Sequence, residues 1–241
     1  LIVTGLHAVE EAVRADPRRI EWVIFDEARR DRRSGEIKRL CRERGVSIRY
    51  GRREQLDRFG ARHQGVAARL AAAPAADRES LLSGPAGTRL LLVLDEIQDP
   101  HNLGAILRVA EGAGARVVVP ERGSAPVSET VARVSAGAVE RVCLFRAGNL
   151  RRFLDDLRET SFRVVGLDER GDSLYEKDLT GDLALVLGSE GKGLRRLVRE
   201  GCDELARIPM EGQIASLNVS TAAAVAAFEA ARQRRKGACA S

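Results

Sequence analysis

Nothing in the 241 residues is apolar for long enough to cross a bilayer, which takes about 18 consecutive apolar residues, so no membrane partner is expected. Paired cysteines are missing as well: Cys41, Cys143, Cys202 and Cys239 stand far apart with no C-x-x-C pair, which argues against a zinc site or disulfide framework and leaves reduced, structural thiols. The three histidines, His7, His63 and His101, have no ligand-like spacing, so no metal is expected. The opening LIVTGLHAVE has neither an initiator methionine nor the charged-then-apolar layout of a signal peptide; a few preceding residues and a cytoplasmic location are expected. Lysine is scarce, four among 40 basic residues, so arginine carries the positive charge.

That charge is unevenly placed. Residues 1–73 hold 17 basic and 11 acidic residues, whereas residues 74–241 hold 23 and 24, so the first third carries +6 and the remainder −1. Arg29, Arg30, Arg32 and Arg33 form one cluster; Arg49, Arg52 and Arg53 form another beside Tyr50, whose ring suits base stacking. Both fit phosphate and single-stranded RNA contact, against the alternative of a merely solvated arginine-rich face.

Two loops late in the chain concentrate the chemistry. The apolar run Leu183 to Leu187 breaks into a turn with Gly188, Gly191 and Gly193. A second run, Leu205 to Ile208, stops at Pro209, and Gly212 to Ser216 leads into an alanine-rich helix carrying Ser216, Asn218 and Ser220. Loops after parallel strands are where open α/β sheets bind ligands. A P-loop is excluded, because Gly191 and Lys192 are followed by Gly193 rather than Ser or Thr, and the glycine order departs from G-x-G-x-x-G.

Three segments, DEIQDPHNLGAILRVAEGAGA at 95–115, LVLGSEGKGL at 185–194 and IPMEGQIASLNVSTAAA at 208–224, resemble in order the motifs of the SpoU/TrmH branch of the trefoil-knotted SPOUT RNA 2′-O-ribose methyltransferases. The resemblance covers residues 90–235. HQGVAARL at 63–70 and GLHAVEEAV near the start look like the N-terminal module of the RlmB-like subgroup, which methylates guanosine ribose in large-subunit ribosomal RNA. It implies S-adenosyl-L-methionine as cofactor, that rRNA as substrate and a homodimer. The small, apolar helix Leu217 to Ala231, expected to be covered on more than one side, agrees with the last.

The pattern predicts an α/β protein of two domains. Residues 1–73 read as a small α/β RNA-binding domain, for which the resemblance implies a ribosomal-protein-like fold: a helix through Leu6, Val9 and Val13, a strand Ile20 to Phe25, a helix capped by Ser34 that ends at Gly45, and strands Val46 to Tyr50 and Gly65 to Leu70. The Pro/Gly-rich AAAPAADRESLLSGPAGT at 71–88 reads as the connection, with the linker proper at 74–88. In residues 89–241, six apolar runs predict a mostly parallel sheet: Leu90 to Leu94, Val117 to Val119, Val142 to Phe145, Phe162 to Leu167, Leu183 to Leu187 and Leu205 to Ile208. The knot follows from the resemblance alone.

By resemblance, Gly188, Ile208, Met210 and Leu217 form the cofactor pocket; taken singly, Ile208 and Leu217 would read as core. Asn102, Arg108, Glu190, Ser216 and Asn218 are the catalytic candidates. Arg108, four residues after Gly104, is expected to project from the face that glycine leaves open. Family knowledge casts it as the group that activates the 2′-hydroxyl; since arginine stays protonated, phosphate grip and charge stabilisation are the preferred role, against a plain ion pair with Glu111. Glu190 suits a bond to substrate or to Asn102, and Ser216 doubles as a candidate helix cap. Other readings are a tRNA guanosine or rRNA adenosine 2′-O-methyltransferase of the same family, and a catalytically silent RNA-binding scaffold.

Overall fold

Two units make up the chain, Leu1–Pro74 and Ala75–Ser241, and the computed structural model describes residues 2–60, 63–71 and 76–238. In the first unit, β1 (Ile2–Thr4), β2 (Ile20–Asp26), β3 (Ile48–Gly51) and β4 (Val66–Leu70) lie in the order β1-β4-β2-β3. β2 and β3 are parallel; β4 is antiparallel to both β1 and β2. Helical spacing gives α1 (Leu6–Ala15) a stripe of Leu6, Val9 and Val13, and α2 (Arg32–Glu43) one of Ile37 and Cys41. Both stripes bury against Val23, Phe25, Val66 and Ala68 on one face of the sheet. The short α3 (Arg53–Asp57) follows β3.

The cap of α2 is Asp31, not Ser34. The Asp31 carboxylate accepts the Ser34 amide at 3.1 Å, while the buried Ser34 hydroxyl donates back to the Asp31 carbonyl at 2.9 Å. An anion at a helix N-terminus also meets the macrodipole, and the Arg29 guanidinium, with the Ser34 amide, holds the Asp31 carboxyl down to about 2.

The second unit contains α4 (Arg78–Leu82), β5 (Leu90–Leu94), α5 (Pro100–Ala113), β6 (Arg116–Pro120), α6 (Glu129–Val134), β7 (Leu144–Ala147), α7 (Leu150–Arg158), β8 (Arg163–Ser173), β9 (Leu183–Leu187), α8 (Arg196–Arg199), β10 (Glu204–Arg207) and α9 (Val219–Ala238). The six expected strands are present within two residues of the expected bounds, except that β8 runs six residues further, to Ser173; every pairing among them is parallel, and their order is β10-β8-β9-β5-β6-β7. Alternate residues of β5 serve two cores: Leu90, Leu92 and Leu94 pack with Leu103, Ile106 and Leu107 of α5 and Ala223, Ala226 and Ala227 of α9, and Leu91 and Val93 pack with Phe153, Leu154 and Leu157 of α7. Burial of both faces explains why β5, β6 and β9 read as apolar runs.

Two expectations are revised. Residues 76–88, read as linker, carry α4, capped by Asp77, with Leu81 fully buried in the α7-side core and Ala76 bridged to Phe145 of β7. The last helix starts at Val219, so Ser216 lies outside it; Asn218 is the capping residue, its Oδ1 accepting the Ser220 amide at 2.9 Å. The same helix, α9, buries one face, Ala223, Ala226, Ala227 and Ala230, inside its own unit.

The N-terminal ends of β5 and β9 are tied by a buried cluster. Asp182 accepts from the Gly87 and Arg89 amides at 2.9 and 3.0 Å, the Ser161 hydroxyl at 2.7 Å and the Arg89 guanidinium at 2.5 Å, and Arg89 holds its carboxyl well below the usual range. Arg234 of α9 donates to the carbonyls of Thr88, Arg89 and Gly181 at 3.1, 3.2 and 2.8 Å, and burial lowers its pKa.

Candidate cofactor and substrate site

The opposite, C-terminal ends of the strands hold the site. After β9 the chain turns through Gly188 to Leu194 and doubles back, Ser189 bridging Gly193 with the Gly193 amide donating to the Ser189 carbonyl at 2.9 Å. Gly191 and Gly193 have φ of 79° and 65°, backbone that favours glycine. Gly188 has a different reason: a Cβ there would stand 2.1 Å from the Gly193 carbonyl carbon and 2.4 Å from the Leu194 nitrogen, so its bare Cα lets the loop close on itself rather than admitting a ligand.

A cleft of about 260 Å³ opens beside this loop. All four expected cofactor residues, Gly188, Ile208, Met210 and Leu217, line it, and so do Glu190 and Ser216. Ile208, Met210 and Leu217 are half-buried rather than sealed in the core. Residues 209–217 run without regular structure and, among the described residues, without a backbone hydrogen bond to other backbone, leaving amides and carbonyls for a ligand.

The wall opposite comes from β8. Leu205 of β10 pairs with Gly166, but the next residue, Ala206, pairs with Asp172, so residues 167–171 bow out of the ladder and Leu167, Asp168, Glu169 and Arg170 face the cleft. Gly171 permits the rejoining, since a Cβ there would lie 2.4 Å from the Ala206 nitrogen.

Asn102, Glu190 and Asn218, from three separate segments, meet in one hydrogen-bonded group. The Asn102 amide donates to Glu190 Oε1 at 3.1 Å; the Asn218 amide donates to Asn102 Oδ1 at 3.0 Å and also to Glu190 Oε1. Glu190 Oε2 has no partner among the described residues. A second hollow of about 220 Å³, lined by Asn102, Glu190 and Lys192 among others, adjoins the first, with Ser189, Glu190, Lys192 and Val219 common to both.

Arg108 does not join this group. It lies six residues beyond Asn102 on α5, about 240° around the helix, is exposed, and lines neither hollow. The expected open face at Gly104 is filled: a Cβ there would stand 2.8 Å from Val134 Cβ and 3.0 Å from the Val131 carbonyl, so the glycine permits close packing of α5 on α6. Nor is Arg108 paired with Glu111, which binds Arg141 at 3.1 Å; among the described residues Arg108 has no ionic partner.

A profile described as the SpoU rRNA Methylase family matches residues 89–228, and one described as RNA 2′-O ribose methyltransferase substrate binding matches residues 2–76. The chain belongs to the SpoU rRNA methylase family. It is 45% identical over 239 residues to the 23S rRNA (guanosine-2′-O-)-methyltransferase RlmB of Xanthomonas axonopodis pv. citri, spanning 96% of each chain. With the RlmB of Ralstonia nicotianae it shares 44% identity over 97% of this chain and 96% of that one. Among solved structures it is similar to the SpoU methyltransferase AviRb from Streptomyces viridochromogenes in complex with AdoMet, with a TM-score of 0.82, 25% identity, and 98% of this chain and 91% of that one covered.

Within this SpoU fold two positioning groups escaped sequence reasoning. Asp95, fully buried at the end of β5, accepts the Arg195 amide at 2.9 Å and its guanidinium at 2.6 and 2.7 Å, pinning the far end of the glycine loop; the same bond raises the Arg195 pKa. Arg199 binds Asp168 at 3.2 Å across the cleft. The charge of Asp95, abutting five apolar residues, was the available signal. The bow of β8 had none, because a register shift depends on the partner strand.

Proposed function

We propose that this protein transfers a methyl group from S-adenosylmethionine to the ribose 2′-hydroxyl of a guanosine in 23S rRNA. The observation that carries this reading is likeness to RlmB along both units, joined to one cleft that gathers the glycine loop and the second loop of the catalytic unit. The cleft suits the cofactor: half-buried Ile208, Met210 and Leu217 offer apolar faces to a purine, and the unpaired backbone of residues 209–217 offers donors and acceptors to its edge. When bound, the cofactor supplies an electrophilic methyl group.

The chain's own residues do the rest. Glu190 Oε1 is fixed by two amide donors, which leaves Oε2 to accept the hydrogen bond of the 2′-hydroxyl in the adjoining hollow. Ser216, which lines the cleft, offers a hydroxyl to orient ribose or cofactor carboxylate. Arg108, exposed and outside both hollows of its own chain, with no acid to neutralise it among the described residues, grips a flanking phosphate and lowers the cost of the developing alkoxide from a second copy of the chain in a homodimer.

The same reading includes a trefoil-knotted backbone, supported by insertion of β9 between β5 and β8; a homodimer, supported by Phe228 and Ile214, 48% and 70% exposed; and action in the cytoplasm, where rRNA is. Mapping 2′-O-methyl stops on rRNA and tRNA from cells with and without the protein tests it. Loss of one guanosine stop in 23S rRNA is expected; loss confined to tRNA would overturn the substrate, and no loss at all the activity.

A further inference from the structure

The first unit has one sheet face covered by α1 and α2 and another that carries an unassigned hollow. Along β2 the side chains alternate: Val23 and Phe25 enter the helix-covered core, so Trp22 and Ile24 lie on the opposite face. There Trp22 meets Phe59 with ring centroids 5.8 Å apart, and the Arg49 guanidinium lies 5.2 Å from the centre of the Trp22 ring. With Gln55 and Arg58 these residues line a hollow of about 320 Å³, room enough for a base.

Aromatic surface, more than charge, separates this place from the other basic cluster, where Arg30 and Arg33 are likewise without carboxylate partners among the described residues. Arg29 is bound to Asp31 and Arg32 to Glu36, and Arg14, Arg18, Arg39 and Arg69 also have carboxylate partners. Arg49 and Arg58 have none among the described residues. Tyr50, the ring expected to stack, carries the Lys38 ammonium 5.3 Å from its centre. Here, then, uncompensated positive charge meets aromatic surface within the unit that matches the substrate-binding family. Single-stranded RNA is held by that combination: phosphates by unpaired arginines, bases by ring and guanidinium planes.

We propose that this hollow docks an unpaired nucleotide of the substrate RNA, the base lying on the Arg49 guanidinium that Trp22 supports, and Arg58 taking a phosphate. The proposal rests on the reading of the protein as an RNA methyltransferase and names where its RNA is first held.

Trp22 is the sole tryptophan, so its emission reports on this hollow alone. In the full chain, a short single-stranded oligoribonucleotide should quench it saturably. Arg49→Glu with Arg58→Glu should abolish quenching, raise KM for a 23S rRNA transcript by about tenfold or more, and reduce the salt dependence of binding by about 0.7 log unit per lost phosphate contact, with kcat at saturating RNA and S-adenosylmethionine affinity unchanged. Arg30→Glu with Arg33→Glu, equally large in charge, should raise KM much less. Arg49→Lys keeps the charge without the plane and should retain the salt slope but lose the quench. Unchanged quenching and KM in the Arg49/Arg58 variant, or an equal loss in the Arg30/Arg33 variant, would overturn the proposal while leaving the methyltransferase reading intact. Failure of the parent protein to methylate any rRNA would sink that reading, yet the quenching titration would still decide whether RNA enters the hollow.

Discussion

Arg108 and Asp182 show how far single residues govern this protein, one through what it lacks and the other through what surrounds it. Arg108 has no carboxylate partner among the described residues, so its charge is available to RNA. Arg108→Ala should leave S-adenosylmethionine affinity nearly unchanged in calorimetry and lower methyl transfer by ~10²-fold, as loss of a preorganised electrostatic group does. Arg108→Lys should recover part of the rate, and its pH profile should show no limb rising through a lysine-like pKa; such a limb would mark a true base. Asp182 is the converse, a carboxylate buried under four donors. The Arg89 bond lowers its folded pKa below the unfolded value, so its stabilisation is complete above the ordinary carboxylate range and is lost as pH falls through the folded pKa. Asp182→Asn should flatten that acid limb in urea titrations at several pH values and cost about 3 to 5 kcal/mol at neutral pH, since Arg89 is left buried without its counter-charge.

At the scale of elements, the glycine loop is held by two unrelated devices: the absence of a side chain at Gly188 and the Asp95–Arg195 pair. Gly188→Ala must force Gly193 and Leu194 outward, so it should weaken S-adenosylmethionine binding by at least about tenfold in calorimetry while the circular dichroism stays that of the parent; unchanged affinity would mean the closed loop is not needed. The elements themselves were readable. The central strands β5, β6 and β9 stood out because each is buried on both faces and so almost wholly apolar, and α1 because its stripe recurs at helical spacing. What could not be read depended on a neighbour. Gly104 looked like an opening and is a contact, because α6 is invisible from α5. Ser34 and Ser216 looked like caps, but Asp31 and Asn218 each reach the free amides better. The segment 76–88 has linker composition, yet a single leucine, Leu81, decides that it is packed. Of the site, the motifs located Gly188, Ile208, Met210 and Leu217 around one cleft, whereas the bow of β8 is a three-dimensional fact; the separation of Arg108 from Asn102 was legible in their six-residue spacing on one helix.

For the molecule as a whole, the packing of α4 sets where the catalytic unit can be cut. A fragment of residues 76–241 should bind S-adenosylmethionine yet leave rRNA unmethylated at ordinary concentrations, because the +6 of the first 73 residues is gone; full activity from it would show that the first unit does not choose the RNA. A fragment starting at residue 89 should be less stable by about 2 to 4 kcal/mol, the cost of leaving the Leu81 site empty. The strand order carries a consequence for how such a protein is made. β9 lies between β5 and β8, yet both leave the ribosome before it, so a nascent chain stopped ahead of residue 183 presents two unfilled strand edges. At about 5–20 residues per second, translation holds those edges open for seconds, and the middle of the sheet is built nearly last. An enzyme that matures ribosomal RNA thus depends, while its own chain emerges, on staying unpaired long enough to receive its central strand, and chaperone demand should fall sharply once residue 187 has cleared the exit tunnel.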